Sequence, residues 1–181
     1  MKKLYNELVF IKKIYGFAFI ILILFSSSCS RRIPFMIYND DGKKIDKVFQ
    51  NILLTINAKE NETLKTLFSQ NVLEGSKTIN EDIDYLFTFF NGAVKSWKRI
   101  STNTNTNSNY GHVIKGMNVT FEAETEKQKY LVYIYYYFED TKNPKNVGIY
   151  TLRIIKEEDK ETQWTYWQDM KIPGIYRYKL D

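Results

Sequence analysis

From Ile45 onward the apolar positions repeat first with a helical period and then with a period of two. Ile45, Val48, Phe49, Ile52, Leu53 and Ile56 form one stripe at offsets 0, 3, 4, 7, 8 and 11, with Lys43, Lys44, Asp46, Lys47, Gln50 and Asn51 on the other faces. That spacing predicts an amphipathic helix. A break over Asn57 to Asn61 leads to a shorter helix capped by Asn61, with Leu64, Leu67 and Phe68 inward. After a loop around Gly75, Thr78 and Glu81 have capping-box spacing and open a third helix. Ile79 is its staple residue, Ile83, Leu86, Phe87 and Phe90 form its buried face, and Gly92 ends it.

Beyond Gly92 the pattern is that of strands. Val94 to Ile100 forms the first, with Trp97 on one face, and the polar tract Thr102 to Asn109 reads as a hairpin tip or mobile loop that cannot pack a core. Met117, Val119, Phe121 and Ala123 alternate with Asn118, Thr120, Glu122 and Glu124, a strand with one wet face. Tyr130 to Phe138 is apolar or aromatic on both faces, as a central strand must be. Val147 to Lys156, Trp164 to Met170 and Tyr176 to Leu180 complete the set. Helices followed by antiparallel strands predict an α+β fold.

The first 28 residues obey a different rule. Lys2, Lys3, Lys12 and Lys13 precede the apolar run Phe17 to Phe25, and Ser26, Ser27 and Ser28 lead into Cys29, the chain's one cysteine. A basic end, a short apolar segment and small residues at the cut are the parts of a secretory signal. Nine apolar residues fall short of the roughly 20 that span a bilayer. The layout predicts a lipoprotein signal over 1–28, with lipidation (palmitate-type acylation) of the Cys29 thiol. It also predicts a lipidated tether over 29–42 and one domain over 43–181. Ser26 stands where lipoprotein signals prefer leucine. The expected setting is the extracytoplasmic face of the cell membrane, reached through a lipid anchor.

The net charge of +5 in 181 residues belongs mostly to those four lysines, and no basic stripe of the kind phosphate binding needs comes after them. Nucleic acid is excluded as a partner on that ground. With one cysteine, the folded part is expected to hold together without disulfides.

Candidate chemistry is sparse. His112 is the only histidine and reads as a surface residue. Glu81, Asp82 and Asp84 complement the helix dipole, and Asp84, between Ile83 and Tyr85, is a weak candidate base. No catalytic residue, metal site or cofactor is assigned. The tyrosines of the central strand stand out: alternation sends Tyr133, Tyr135 and Tyr137 to one sheet face and Tyr130 and Tyr136 to the other. One set packs on the helices; the other either fills core or, with Trp164, lines a ligand site. Tyr166 and Trp167 lie nearby in sequence.

The helix-to-first-strand region, Leu64 to Ser69, Ile83 to Phe87, Phe90-Asn91-Gly92 and Ser96-Trp97, resembles a lipoprotein domain family common in clostridia, domain of unknown function 5104. The likeness covers roughly residues 43–181. The helices-then-sheet order resembles the cone of the nuclear transport factor 2-like (cystatin-like) fold, in which a curved sheet wraps a long helix. The resemblance implies that fold and the lipoprotein setting, but no activity and no catalytic residues. The expected role is a non-catalytic ligand-binding or accessory module. The alternatives are a protein-interaction or immunity-type envelope lipoprotein, and a small cone-fold enzyme using a pocket carboxylate.

Overall fold

The computed structural model describes residues 38–164 and 172–177. Four helices come first: α1 (Tyr38–Ala58), α2 (Asn61–Lys65), α3 (Gln70–Gly75) and α4 (Ile79–Phe89). Four long strands come next, β1 (Val94–Asn109), β2 (His112–Thr125), β3 (Lys129–Asp140) and β4 (Gly148–Lys156), then the single turn α5 (Lys160–Gln163) and the short strand β5 (Gly174–Tyr176). The sheet has the order β1-β2-β3-β4-β5, antiparallel except for the parallel pair β4–β5. This is the α+β arrangement expected from the pattern, with a mostly antiparallel open sheet. Asn39–Asp181 clusters as one compact unit.

The α1 stripe is buried as its period requires, with Ile45, Phe49, Ile52, Leu53 and Ile56 at the core. Phe49 stacks on Phe121 of β2 at 4.0 Å between centroids, and Trp97 meets both rings edge-on. Two ion pairs flank this contact: Asp46 with Arg99 at 2.8 Å, and Asp41 with Lys115. Tyr130 anchors the far end. Its ring stacks on Phe90, and its hydroxyl donates to the Phe89 carbonyl and accepts from the Asn91 N–H and the Gln128 amide.

Several local expectations are corrected. The polar run Asn39 to Gly42, expected at the end of the tether, lies inside α1; its acidic pair Asp40 and Asp41 sits in the first turn, where the helix dipole favours it. Asn61 is the first residue of α2, whose N-cap is Glu60. The region around Gly75 is the end of α3, with Ser69 accepting from the Val72 N–H, so a helix stands where a loop was expected. No capping box forms at Thr78; its hydroxyl donates instead to Asp82 at 2.9 Å.

The largest difference is the tract Thr102 to Asn109. It is strand, the second half of β1, paired from Asn109↔His112 back to Thr102↔Val119. Tyr110 and Gly111, at φ 47° and 80°, make the two-residue turn. Left-handed conformation at both positions is the mark of a type I′ hairpin turn, whose twist matches the strands it joins. The strand expected over Trp164 to Met170 is not seen at Trp164, which caps α5; residues 165–170 lie outside the described residues. Of Tyr176 to Leu180, Tyr176 ends β5 and residues 178–180 lie outside the described residues.

Beside β5, the outer side of β4 is met by close backbone approach. The Ser69 N–H donates to the Ile149 carbonyl and the Ile149 N–H to the Leu67 carbonyl. Gly148, at φ +127°, sits under this crossing, and a Cβ there would meet the Ser69 nitrogen at 2.8 Å. Gly75 has open space around it. We expect Gly148→Ala to cost about 2 kcal/mol or more, because both conformation and space are wrong. Gly75→Ala should stay within about 1 kcal/mol of wild type. Urea denaturation of the two variants side by side checks the contrast.

Candidate functional site

Alternation along β3 divides its aromatics as the sequence predicts. Tyr130, Val132, Ile134 and Tyr136 belong to the core beneath the helices. Leu131, Tyr133 and Tyr135 point to the opposite face, where they are also buried. Cross-strand neighbours extend this second face in rows. Ser101, Thr120, Tyr133, Arg153 and Tyr176 form one, and Asn103, Asn118, Tyr135 and Thr151 form the next.

Two bulges shape the face. In β4 one extra residue, Tyr150, is inserted where Tyr135 pairs with Thr151 and Tyr136 with Ile149. A bulge re-aims the side chain it carries. The Tyr150 ring accordingly meets Tyr135 at 6.1 Å and Tyr137 at 5.6 Å, while Tyr135 and Tyr137 touch edge-to-face at 5.0 Å. In β3 the extra residue is Phe138, between the pairs Gly116↔Tyr137 and Lys115↔Glu139. Phe138 turns back to pack with Tyr136 and lies under Lys44 and Lys115. Gly116 makes room on β2: a Cβ there would come within 3.1 Å of the Tyr135 hydroxyl.

Trp164 reaches this face from the end of α5 and meets Tyr133 edge-on at 6.2 Å. Arg153 is fully buried, its guanidinium 4.5 Å from the Tyr176 ring and 5.7 Å from that of Trp164. Aromatic faces attract a desolvated cation through their quadrupole. All four predicted residues, Tyr133, Tyr135, Tyr137 and Trp164, therefore come together on one side of the sheet. Their exposures differ: Tyr133 and Tyr135 keep only 4% and 8%, so their rings are floor, while Tyr137 and Tyr150 are half-buried and form the rim. Beside Tyr150 opens a polar cleft of about 520 Å³, bordered also by Asn71, Ser76, Lys77, Asn146 and Pro173. Asn71 donates to the Asn146 amide oxygen across its wall at 2.6 Å.

The phenols hold their protons tightly. Burial raises Tyr133, despite a hydrogen bond with Asn118 that acts the other way, and burial raises Tyr150 as well. Tyr137 is pushed up to about 12, by burial first, then by its hydrogen bond to Tyr135 and by the charges of Tyr135 and Asp140. At neutral pH these hydroxyls are donors and acceptors rather than anions. Asp140 is held below the usual carboxylate range by hydrogen bonds from the Asn146 amide and from the Asn143 and Lys142 N–H groups.

Cys29 lies outside the described residues. His112 is exposed at the start of β2, and Asp84 is exposed on α4, away from the aromatic face. The buried carboxylate of α4 is Asp82, which pairs with Arg177 at 2.5 Å and accepts from Thr78. Its position is legible in the sequence: Ile79, Asp82, Ile83 and Leu86 share one helical stripe. Arg153 and the bulged Tyr150 are functional candidates that the sequence does not single out, because no local pattern marks either. Among the described residues, no three of His, Cys, Asp and Glu gather as metal ligands, and no helix is long and apolar enough to cross a membrane.

Fold and face together define an α+β domain with the long helix α1 packed on one side of its sheet and a tyrosine-rich floor on the other. The family model "Domain of unknown function (DUF5104)" matches residues 51–157, more than half of the chain, and the chain belongs to this family. The match runs from mid-α1 to just past β4 and contains the whole β1–β4 meander. No curated protein matches the chain.

Because Tyr137 binds its proton more tightly in the folded state than at the ordinary phenol value near 10, its contribution to stability is complete below about pH 10. Above that the unfolded chain loses the proton first, so stability falls as pH rises toward about 12. Absorbance at 295 nm should show a late-titrating phenol that disappears in Tyr137→Phe. The variant should also flatten the fall in stability between about pH 10 and 12.

Proposed function

We propose that this protein is a lipid-anchored lipoprotein of the extracytoplasmic membrane face whose folded part is a non-catalytic ligand-binding or accessory module. The observation that carries the binding reading is the half-buried Tyr150, in ring contact with Tyr137, at the border of a polar cleft of about 520 Å³. That volume suits a small molecule, and sites of this kind combine aromatic walls with a few fixed polar groups. Rings supply contact area, protonated phenols donate hydrogen bonds, and the Asn71 and Asn146 amides offer both donors and acceptors. The ligand class that fits is a small polar or amphipathic molecule, such as a sugar or short peptide.

The lipoprotein reading rests on the first 29 residues: four lysines, a nine-residue apolar run, three serines and the single cysteine. The cone of the nuclear transport factor 2-like fold belongs to the same proposal. It is supported by the helices-first order, by α1 packed across β1 and β2, and by the bulges, which bend the strands that carry them.

Two experiments test the parts separately. Labelled palmitate fed to expressing cells should enter the wild-type chain and not Cys29→Ser, and the variant should leave the membrane fraction. Label retained by Cys29→Ser would remove the anchor reading. Native mass spectrometry of the protein without residues 1–29 should show an adduct lost on denaturation and weakened in Tyr150→Ala. An adduct indifferent to Tyr150→Ala would place binding elsewhere.

A further inference from the structure

We propose that the outer edge of β1 is a self-pairing surface, which joins two copies of this chain through the segment Ser101–Asn109. β1 is the terminal strand of the sheet, and its outer side has no strand partner among the described residues. Exposed edges invite pairing, and proteins blunt them with bulges, charges or proline. The first half of β1 carries such devices. Ladder irregularities fall at Lys95 and Ile100, and Lys95, Lys98 and Arg99 bring positive charge. From Ser101 to Asn109 all three are missing: pairing with β2 is regular, and the residues are serine, threonine and asparagine only.

The order of those residues identifies the occupant. Outward from Asn105, the flanking pairs are Thr104 and Thr106, Asn103 and Asn107, and Thr102 and Ser108. The segment is nearly palindromic in chemistry, and an antiparallel two-fold pairing centred on Asn105 sets like against like. Threonine pairs and asparagine pairs are favourable across a ladder. The same register keeps the asparagines of both copies on one face and leaves every lysine and arginine of β1 outside the nine-residue seam. That seam is about 30 Å long. Such an interface is isologous and stops at two chains. The other edge of the sheet offers no matching seam: it is β5, only three residues long, and beside β5 Phe68 bridges β4 at Ile149.

The test uses the full-length chain carrying Cys29→Ser, in non-denaturing detergent. Protein mass is read by light scattering, and far-UV circular dichroism confirms folding. Asn103 and Asn107 are exposed, so charges there leave the monomer intact. The parent should run as two chains. N103K/N107K places like charges opposite each other twice and should weaken the dimer roughly tenfold or more, as should N103E/N107E. Mixing the two variants should restore a two-chain species, because each lysine then faces a glutamate. A single-chain parent overturns the proposal, as do charged variants that stay paired, or a mixture that fails to pair. The outcome is independent of ligand binding and of lipidation.

Discussion

The stacked pair Phe49 and Phe121 fixes which side of every strand in this sheet is core. Their rings lie nearly parallel, at 4° and 4.0 Å, with Trp97 closing the edge. Once Phe121 faces α1, the two-residue period of the sheet leaves no freedom: Val132 opposite it is core, so Tyr130, Ile134 and Tyr136 are core as well. Tyr133 and Tyr135 must then leave by the other face. Slipping β3 by one residue would bury the wrong set and turn Tyr130 away from Phe89 and Asn91. The aromatic floor is a consequence of that one helix–strand contact.

The bulges supply what alternation cannot. An unbroken β4 would not aim Tyr150 at Tyr135 and Tyr137 while keeping Ile149 and Leu152 in the core, yet all of these hold in the structure. One inserted residue resolves the conflict and adds local twist. Gly116 plays the complementary part on β2 by leaving the Tyr135 ring room over its backbone. Sites assembled from several strands in this way have no contiguous sequence signal. Tyr133, Tyr135 and Tyr137 were legible because they share a strand, whereas Tyr150 and Arg153 enter only through register.

The same distinction explains the helices and the polar tract. The α1 stripe could be read because burial and period agree over the twelve positions from Ile45 to Ile56. Asp82 could have been, from its place among Ile79, Ile83 and Leu86. The tract Thr102 to Asn109 has no apolar period, so composition pointed to a loop. Its strand character comes from a non-local partner, His112 to Val119, and from a turn whose residues, Tyr110 and Gly111, lack the asparagine–glycine pair that usually announces it. Threonine at every second position was the one local hint, since β-branched residues suit strands. α3 is not legible in the sequence because six residues offer too little period.

Among the described residues, besides the local pair Lys156–Glu158, three ion pairs have one partner outside the span shared with the family: Asp41–Lys115, Asp46–Arg99 and Arg177–Asp82. Each ties an end of the described domain, the start of α1 or the segment after β5, to an element inside that span. Partly exposed pairs of this type contribute about 0–1 kcal/mol each, far less than the apolar stripe beneath α1. Their value is positional. Asp46 and Arg99 fix where α1 crosses β1, next to the Phe49–Trp97 contact that orients the sheet. Arg177 holds the chain after β5 against α4, and so keeps Tyr176 over the Arg153 guanidinium. A buried cation is tolerable only while its surroundings stay in register. The partly exposed pair at Asp82 thus guards the desolvated arrangement at Arg153, and the aromatic floor depends on both.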